Sequence, residues 1–405
     1  MKGNGLVRPL VDVLRRADIG WQRRMWPCSR QVVFDARTAM EYGVMAPVHR
    51  RLLGDPRLHC WLMSSGRPNQ VADIFRDAPP GARVVSPRAA LTRRFDAYIA
   101  ADLVWARLPR GTRRVQMFHG VAGKWHRVYD RPDTSMRQWD RLFFINRKRL
   151  QNYIVSGAVE RGSPAVRLVG MPKSDCLVDG SRDRDTILAA NGLDPARPTV
   201  LYAPTWSRFS SLNAMGEAVV RDLLDAGHNV LVKLHENSFD PALFFSGGVD
   251  WAARLQPLLL KERGLLIRSS DASPWLAAAD VLITDHSSIG FEYLLLDRPL
   301  VRIAMPQLIA GTDIAPDYVE LMARVAATVE TPADVVAAVD EAMADPTRCS
   351  SARRAVAAEL FHNPGRATEC ALHELYALME LESPMSLGPV VHTAAVGANE
   401  SSIAQ

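Results

Sequence analysis

Short apolar runs alternate along the chain with longer segments in which apolar residues recur at helical spacing. The runs predict buried strands, and their alternation with amphipathic helices predicts parallel sheets covered on both faces. The predicted strands cover residues 31–34, 58–63, 83–85, 97–100, 114–118, 141–145, 166–169, 199–202, 229–234, 265–267, 280–284 and 300–303. We therefore expect an α/β fold.

The same pattern occurs twice, which predicts two similar domains. Predicted helices cover residues 40–53, 147–156, 183–191, 212–226, 241–255, 274–279, 288–296, 332–344 and 352–382. The stretch 170–198 is rich in Gly, Pro, Asp and Arg, and we place the domain boundary at its start. We expect a Rossmann-like domain over 1–175, a second over 176–382 that includes a C-terminal crossover helix, and a cleft between them. Residues 383–405 have few large apolar side chains, which predicts a disordered tail.

Composition is that of a globular protein with room for two domains. The 405 residues are 48% hydrophobic and 23% charged, and no stretch approaches the roughly 18 apolar residues of a membrane span. Residues 1–14 lack the long apolar core and cleavage site of a signal peptide. Five scattered cysteines without a CxxC pair predict reduced thiols and no zinc site. We expect a cytoplasmic protein.

The net positive charge of the chain favours anionic partners. The net charge is +5 and the sequence pI is about 9.0, which suits phosphates, nucleic acid or an acidic membrane surface. Residues 1–26 combine several arginines with Trp21 and Trp26. This segment is either an ordinary surface helix or a basic amphipathic helix that lies on the inner face of the plasma membrane. With 7% aromatic residues and no recognised nucleic-acid motif, we do not expect nucleic-acid binding.

The most informative segment is the apolar run 281–284 with the polar residues that follow it. Ser287 and Ser288 open a predicted helix directly after this strand. Helix N-termini carry unpaired N–H groups, and ligands of open α/β sheets bind beyond the carboxyl ends of strands. The serines are thus candidates for phosphate binding. The alternative is that one of them is only an N-cap.

Four further motifs also follow predicted strands or lie at the domain boundary. His119 follows a strand and precedes Gly120 and Lys124, so it is a candidate general base or an ordinary loop histidine. Thr205 follows another strand and can donate to a phosphate. Lys233 and His235 close a third strand. Taken by itself, the last motif, 170–175, predicts only a linker turn.

Taken together, these motifs resemble the CDP-glycerol glycerophosphotransferase family, which builds teichoic-acid-like poly(glycerol phosphate). The family patterns H-G-x-x-x-K, G-x-P-R-x-D, Y-A-P-T-W, K-x-H-P and D-Y-S-S resemble, in the family order, residues 119–124, 170–175, 202–206, 233–236 and 285–288. The resemblance covers about residues 119–305. It implies a GT-B fold of two Rossmann-like domains with the active site between them, and a CDP-activated donor held by the C-terminal domain.

Site roles follow from the resemblance. It implies that His119 is the base that activates the acceptor hydroxyl and that His235 acts on the leaving nucleotide. Lys124, Thr205, Lys233, Ser287 and Ser288 are then expected to bind the donor phosphates. Glu292 is expected to reach a ribose hydroxyl.

The expected reaction transfers an alditol phosphate to a hydroxyl of a glycan or polyol-phosphate acceptor, which is lipid-linked in one version of the hypothesis. No cofactor is expected. No metal is expected either, because the only DxD pattern, Asp183 to Asp185, lies at a predicted helix start, where N-capping explains these residues.

The chain also departs from the family patterns. Lys173 replaces an arginine, Glu236 a proline and His286 a tyrosine, and Ser207 stands where an arginine usually follows Y-A-P-T-W. The stretch after Leu300 lacks an expected R-G-rich pattern. These departures concern the contacts to the glycerol and the acceptor rather than the phosphate contacts. The main alternative is a GT-B glycosyltransferase with a CMP- or UDP-sugar donor, which would also place phosphates on Ser287 and Ser288. A scaffold or nucleic-acid-binding role is the alternative of another class.

Overall fold

A computed structural model describes residues 27–102, 111–124, 134–261 and 263–384, together with Val13, Leu14, Ala17, Trp21, Arg24 and Met25. The strands in this part of the chain are β1 (Arg30–Asp35), β2 (Leu58–Met63), β3 (Arg83–Val84), β4 (Ala97–Ala100), β5 (Arg113–Met117), β6 (Arg141–Phe144), β7 (Val166–Leu168), β8 (Thr199–Tyr202), β9 (Asn229–Lys233), β10 (Gly264–Ile267), β11 (Val281–Thr284), β12 (Leu300–Ile303) and β13 (Ala327–Val329). Each of the twelve predicted strands is present, with ends that differ by at most one residue, and β13 was not predicted.

The α-helices of the described residues connect these strands. They are α1 (Ala39–Leu52), α2 (Val71–Ile74), α3 (Pro87–Ala90), α4 (Arg147–Val155), α5 (Arg184–Ala190), α6 (Ser211–Asp225), α7 (Trp251–Lys261), α8 (Ser273–Ala278), α9 (Ile289–Tyr293), α10 (Pro306–Ala310), α11 (Pro316–Val325), α12 (Pro332–Ala344), α13 (Ser350–Leu360) and α14 (Ala367–Leu378). Short 3-10 turns cover Pro68–Gln70, Thr134–Gln138, Pro172–Leu177, Glu236–Ser238, Phe244–Ser246 and Leu294–Leu296.

The strands form two parallel sheets that share a six-strand order, to which the first sheet adds a seventh strand, β7. The first has the order β3-β2-β1-β4-β5-β6-β7 and the second has the order β10-β9-β8-β11-β12-β13. In each sheet the chain runs outward in one direction and then returns to the middle to run outward in the other. This is the Rossmann order, and it creates a switch point between the two central strands where ligands of such sheets bind. The expectation of two Rossmann-like domains is confirmed.

Contacts divide the described chain into two compact units. The first unit contains the residues up to His119, residues 134–172 and residues 366–384. The second unit contains Gly120–Lys124 and Lys173–Gly365. Besides the crossing at 172–173, near the predicted boundary, the chain passes between the units three more times: after His119, between Lys124 and residue 134, and after Gly365. The first of these crossings separates His119 from Lys124, two residues of the same sequence motif.

The C-terminal segment is a correction to the sequence analysis. The single helix expected over 352–382 is two helices, α13 and α14, with Pro364 and Gly365 between them. Gly365 has a φ of +82°, which a helix interior does not tolerate. Helix α14 belongs to the first unit, where its Leu372 and Leu375 are fully buried in the core and Tyr376 donates to Asp55 at 2.8 Å.

A second correction concerns residues 241–255, which were expected to form one helix. They contain a 3-10 turn at Phe244–Ser246, and α7 begins only at Trp251. Gly247 and Gly248 between them have φ values of +68° and +81°. Such left-handed residues end a helix rather than continue it.

Two expectations fall on residues outside the described part. These are the basic helix of residues 1–26, for most of its length, and the disordered tail of 383–405 beyond Pro384. Among the described helices, none is both long enough and apolar enough to span a bilayer.

Candidate functional site

The centre of the candidate site in the second unit is Asp285, the first residue after β11. Its side chain is fully buried, and one carboxylate oxygen accepts hydrogen bonds from the backbone N–H groups of Thr205 and His286, at 2.8 and 2.6 Å. The other oxygen accepts from the backbone N–H and the hydroxyl of Ser211, at 3.0 and 3.1 Å. Asp285 thereby joins the loops after β8 and β11 to the start of α6, at the switch point of the second sheet.

Lys124 is held in this region although it follows a strand of the other sheet. Its ammonium donates to the hydroxyl of Thr205 at 3.2 Å, and its carbonyl accepts from the backbone of Ala315 at 2.9 Å. Burial lowers the pKa of Lys124 to about 8, although the Asp285 carboxylate opposes this shift. A lysine with a weakly bound proton beside a threonine hydroxyl is suited to receive an anion.

His235 lies after β9 and stacks on Trp206, with 5.0 Å between the ring centroids. Its Nδ1 accepts a hydrogen bond from the backbone of Asn237 at 3.2 Å, so the neutral ring carries its proton on Nε2. Burial, followed by the positive charges of Lys233 and Lys124, lowers the pKa of His235 to about 4. The imidazole is therefore neutral near pH 7 and can donate a hydrogen bond through Nε2.

The two candidate phosphate-binding serines, Ser287 and Ser288, follow Asp285 and His286 in the chain. Ser287 is half-buried and Ser288 is exposed, and α9, which follows them, has only five residues. Ser288 occupies the N-cap position, yet its side chain forms no capping hydrogen bond. The simple N-cap explanation therefore does not account for Ser288.

Lys233 and Glu292 each have an internal partner. The ammonium of Lys233 donates to the carbonyl of Leu234 at 3.0 Å. Glu292 is buried and pairs with Lys173, with nitrogen–oxygen distances of 3.1 and 3.2 Å. Burial is the largest influence on Lys173 and lowers its pKa, but Glu292 and Asp271 together raise that pKa above its usual value. The pair is an internal feature that the sequence analysis did not predict.

His119 belongs to the first unit and lies after β5. Its Nδ1 is 2.7 Å from the carbonyl oxygen of Ala101, the residue that follows β4. A carbonyl can only accept, so Nδ1 carries the proton and Nε2 of the neutral ring has the lone pair. His119 thus lies next to the switch point of the first sheet in the tautomer that a general base needs.

Neither sheet has an evident metal site among the described residues, where no group of three His, Cys, Asp or Glu side chains is close enough to hold an ion. Asp183 of the DxD pattern accepts from the backbone of Thr186 at 2.8 Å and is the N-cap of α5. The capping interpretation is confirmed.

The structure thus brings Lys124, Thr205 and His235 together around Asp285, and it assigns His119 to the other unit. Asp285 belongs to the motif 285–288, but the sequence predicts no role for it. A polar residue directly after a fully buried strand, at the switch point, is the signal that could have identified it.

Comparison with known proteins decides the family. The family model described as CDP-Glycerol:Poly(glycerophosphate) glycerophosphotransferase matches residues 100–370, which is two thirds of the chain. The chain belongs to this family. Its match spans the motifs that carried the resemblance, from His119 to Glu292.

Individual relatives agree with this assignment. A teichoic acid poly(glycerol phosphate) polymerase of Staphylococcus epidermidis is 26% identical over 205 residues, which are 48% of this chain and 26% of that protein. The chain therefore matches only about a quarter of the length of this curated relative.

Solved structures agree on the fold. The wall teichoic acid polymerase TagF superposes with a TM-score of 0.66 at 15% identity, over 93% of this chain and 99% of the TagF chain. The S. aureus protein MnaA, solved with UDP, gives a TM-score of 0.54 at 14% identity, over 89% of this chain and all of the other. At these identities the structural likeness establishes the fold, a GT-B-like pair of Rossmann domains.

Proposed function

We propose that the protein transfers glycerol phosphate, or a related alditol phosphate, from a CDP-activated donor to a hydroxyl group of a glycan or polyol-phosphate acceptor. CMP is the other product, and the reaction belongs to the synthesis of a cell-surface polymer. The observation that carries the proposal is the family match over residues 100–370, which includes every motif residue assigned a role.

The chemistry is a displacement at the β-phosphorus of the donor. The acceptor oxygen forms a bond to this phosphorus, the bond from phosphorus to the CMP oxygen breaks, and the electron pair leaves with CMP. His119 accepts the hydroxyl proton at Nε2, the nitrogen left with a lone pair by the Ala101 contact.

Phosphoryl transfer needs positioning and charge stabilisation rather than covalent help from the protein. Lys124, Thr205, Ser287, Ser288 and His235 provide these by binding the donor diphosphate. His235 donates from Nε2 to the leaving phosphate, which its neutral form allows near pH 7. Each such donor contributes about 2–4 kcal/mol to transition-state stabilisation, by comparison with oxyanion-hole donors.

Lys233 and Glu292 act in this proposal through residues with which they already interact. Lys233 strengthens the positive potential near His235, whose pKa it lowers. A contact from Glu292 to the ribose would require one carboxylate oxygen to serve both the sugar and Lys173. The acceptor, its attachment to a lipid, the cytoplasmic location and contact of residues 1–26 with the inner membrane face are further parts of the proposal, and they rest on sequence charge and family membership.

The decisive experiment measures nucleotide release from CDP-glycerol by the purified protein with an acceptor present. We expect CMP as the product. His119→Ala should abolish turnover and leave donor affinity almost unchanged, whereas His235→Ala should reduce both. Release of UDP or CMP from a nucleotide sugar, with no turnover of CDP-glycerol, would refute the proposed donor. A near-normal rate for His119→Ala would refute the proposed base.

A further inference from the structure

His286, which follows Asp285, is a buried imidazole with no hydrogen-bond partner. Its side chain has no exposed surface, and neither ring nitrogen forms a hydrogen bond to any described residue. Its backbone is fully used, because the N–H donates to Asp285 and the carbonyl accepts from Tyr318 at 3.1 Å. Buried polar groups without partners are rare and costly, so an unsatisfied imidazole at a candidate site calls for a functional explanation.

Arg302, in β12, is a buried cation without a carboxylate partner. It is 9% exposed, and its Nε and one terminal nitrogen both donate to the hydroxyl of Thr328, at 3.2 and 3.0 Å. Within the described ranges it forms no ion pair, and burial alone lowers its pKa. Buried arginines normally pair with an acid, because removing the charge from water costs several kcal/mol. A single neutral hydroxyl offsets little of this cost.

His286 lies close to both Arg302 and Lys124, and Arg302 is the register partner of Thr284, two residues before His286, on the neighbouring strand. Burial is the largest influence on His286, and it lowers the pKa of that imidazole to about 4 together with the positive charges of Arg302 and Lys124, against the opposing charge of Asp285. The Asp285 carboxylate already accepts four hydrogen bonds, two on each oxygen. Around the switch point of the second sheet, the cations Lys124 and Arg302 therefore lie near an acid whose hydrogen bonds are already saturated, together with a neutral imidazole that has no partner.

We propose that His286 and Arg302 provide electrostatic stabilisation of an anion bound at this switch point. The anion is the diphosphate of the nucleotide donor. This inference rests on the proposed function for the identity of the anion. Both groups are positioning residues, because they are buried and act on the anion through the protein interior. The charge of Arg302 there interacts much more strongly than it would in water at the same distance. His286, which is neutral near pH 7, acts through the dipole of its unpaired ring N–H.

The inference predicts a trade-off between affinity and stability. Replacing His286 with Phe removes two unsatisfied nitrogens, and replacing Arg302 with Met removes a buried unpaired charge, each with a side chain of similar size. Both variants should unfold at a temperature no lower than the wild type, because substitution of such groups by apolar ones is often neutral or stabilising. Both should nevertheless bind anions less well. A purely structural role would produce the opposite result.

The test is isothermal titration calorimetry of the full chain with CDP, inorganic pyrophosphate and cytidine. His286→Phe and Arg302→Met should each weaken binding of CDP and pyrophosphate about tenfold and leave cytidine affinity unchanged. Arg302→Lys should restore most of the loss, since it keeps the charge. His228→Phe and Arg263→Met are matched controls, because both replace a basic residue that is partly or fully buried. These residues directly precede β9 and β10, so they lie at the amino ends of the strands, whereas the candidate site lies at the carboxyl ends. The controls should bind as the wild type does.

The outcomes separate this inference from the proposed function. If the wild type binds CDP and the folded variants bind both phosphate probes within twofold of it, the roles of His286 and Arg302 are refuted and the proposed donor stands. If the wild type binds pyrophosphate but not CDP, and the variants lose that binding, the anion site is supported and the nucleotide donor is refuted. A wild type that binds neither probe refutes both.

Discussion

Asp285→Asn is the substitution with the sharpest expected effect on the candidate site. The four hydrogen bonds to Asp285 are divided evenly between its two oxygens, so one pair of donors must face the new amide nitrogen. The least costly orientation turns the amide nitrogen toward Ser211, whose hydroxyl can rotate to accept. The backbone N–H of Ser211 is then left without a partner in a buried site.

The cost follows from this geometry. One buried N–H without an acceptor costs about 1–3 kcal/mol. The two bonds that remain, from Thr205 and His286, lose the contribution of a charged acceptor, which is about 1 kcal/mol in total for the pair. The sum is about 3 kcal/mol of local stability, equivalent to about a hundredfold increase in opening of the structure around Thr205 and Ser211.

Hydrogen–deuterium exchange read on peptides that contain Thr205 and Ser211 measures this opening directly. Asp280→Asn is the matched control, since Asp280 precedes the same strand, β11, and accepts from Arg184 and from the backbone of Thr199. It should increase exchange near Thr199 but leave Thr205 and Ser211 protected, and it should keep donor affinity. Exchange at Thr205 and Ser211 within threefold of wild type in Asp285→Asn would refute the central role given to this carboxylate.

Three other predictions follow from the charges of the second unit. Because burial lowers the pKa of Lys124 to about 8, the side chain loses its charge as pH rises through 8. CDP affinity should therefore fall about tenfold per pH unit above that value. Lys124→Arg should abolish this pH dependence, and an unchanged pH profile in that variant would contradict the role of Lys124. Glu292→Gln leaves the Lys173 charge buried beside a neutral amide and should cost about 3 kcal/mol of stability, measured by urea unfolding. Glu217→Gln, at a solvent-screened ion pair with Arg221, should cost much less, and equal costs would argue against the buried pair. CDP-glycerol binding should be the same in EDTA as in Mg²⁺, and its loss on chelation would refute metal-independent binding.

The local pattern of the sequence determined the secondary structure and the kind of sheet. All twelve predicted strands are present because each is a short apolar run between turn residues, and such runs are informative without tertiary contacts. The missed strand, β13, is only Ala327–Val329, and just Val329 of it is buried. The helix errors at 241–255 and 352–382 arose where apolar spacing continued through Gly and Pro residues that end a helix.

The site was predictable as a set of motifs but not as an arrangement. Sequence reasoning identified Lys124, Thr205 and His235, since each lies a few residues beyond an apolar strand, and the family match contains all three. It could not determine that Lys124 joins the second unit while His119 stays in the first, because that depends on where the backbone crosses between two separately folded sheets. Nor could it assign the Asp285 hydrogen bonds, the Lys173–Glu292 pair or the unsatisfied His286. Contacts between residues far apart in the chain exist only after the strands have taken their order in the sheet, and burial, which shifts the pKa values and makes a missing partner costly, is created by the same packing.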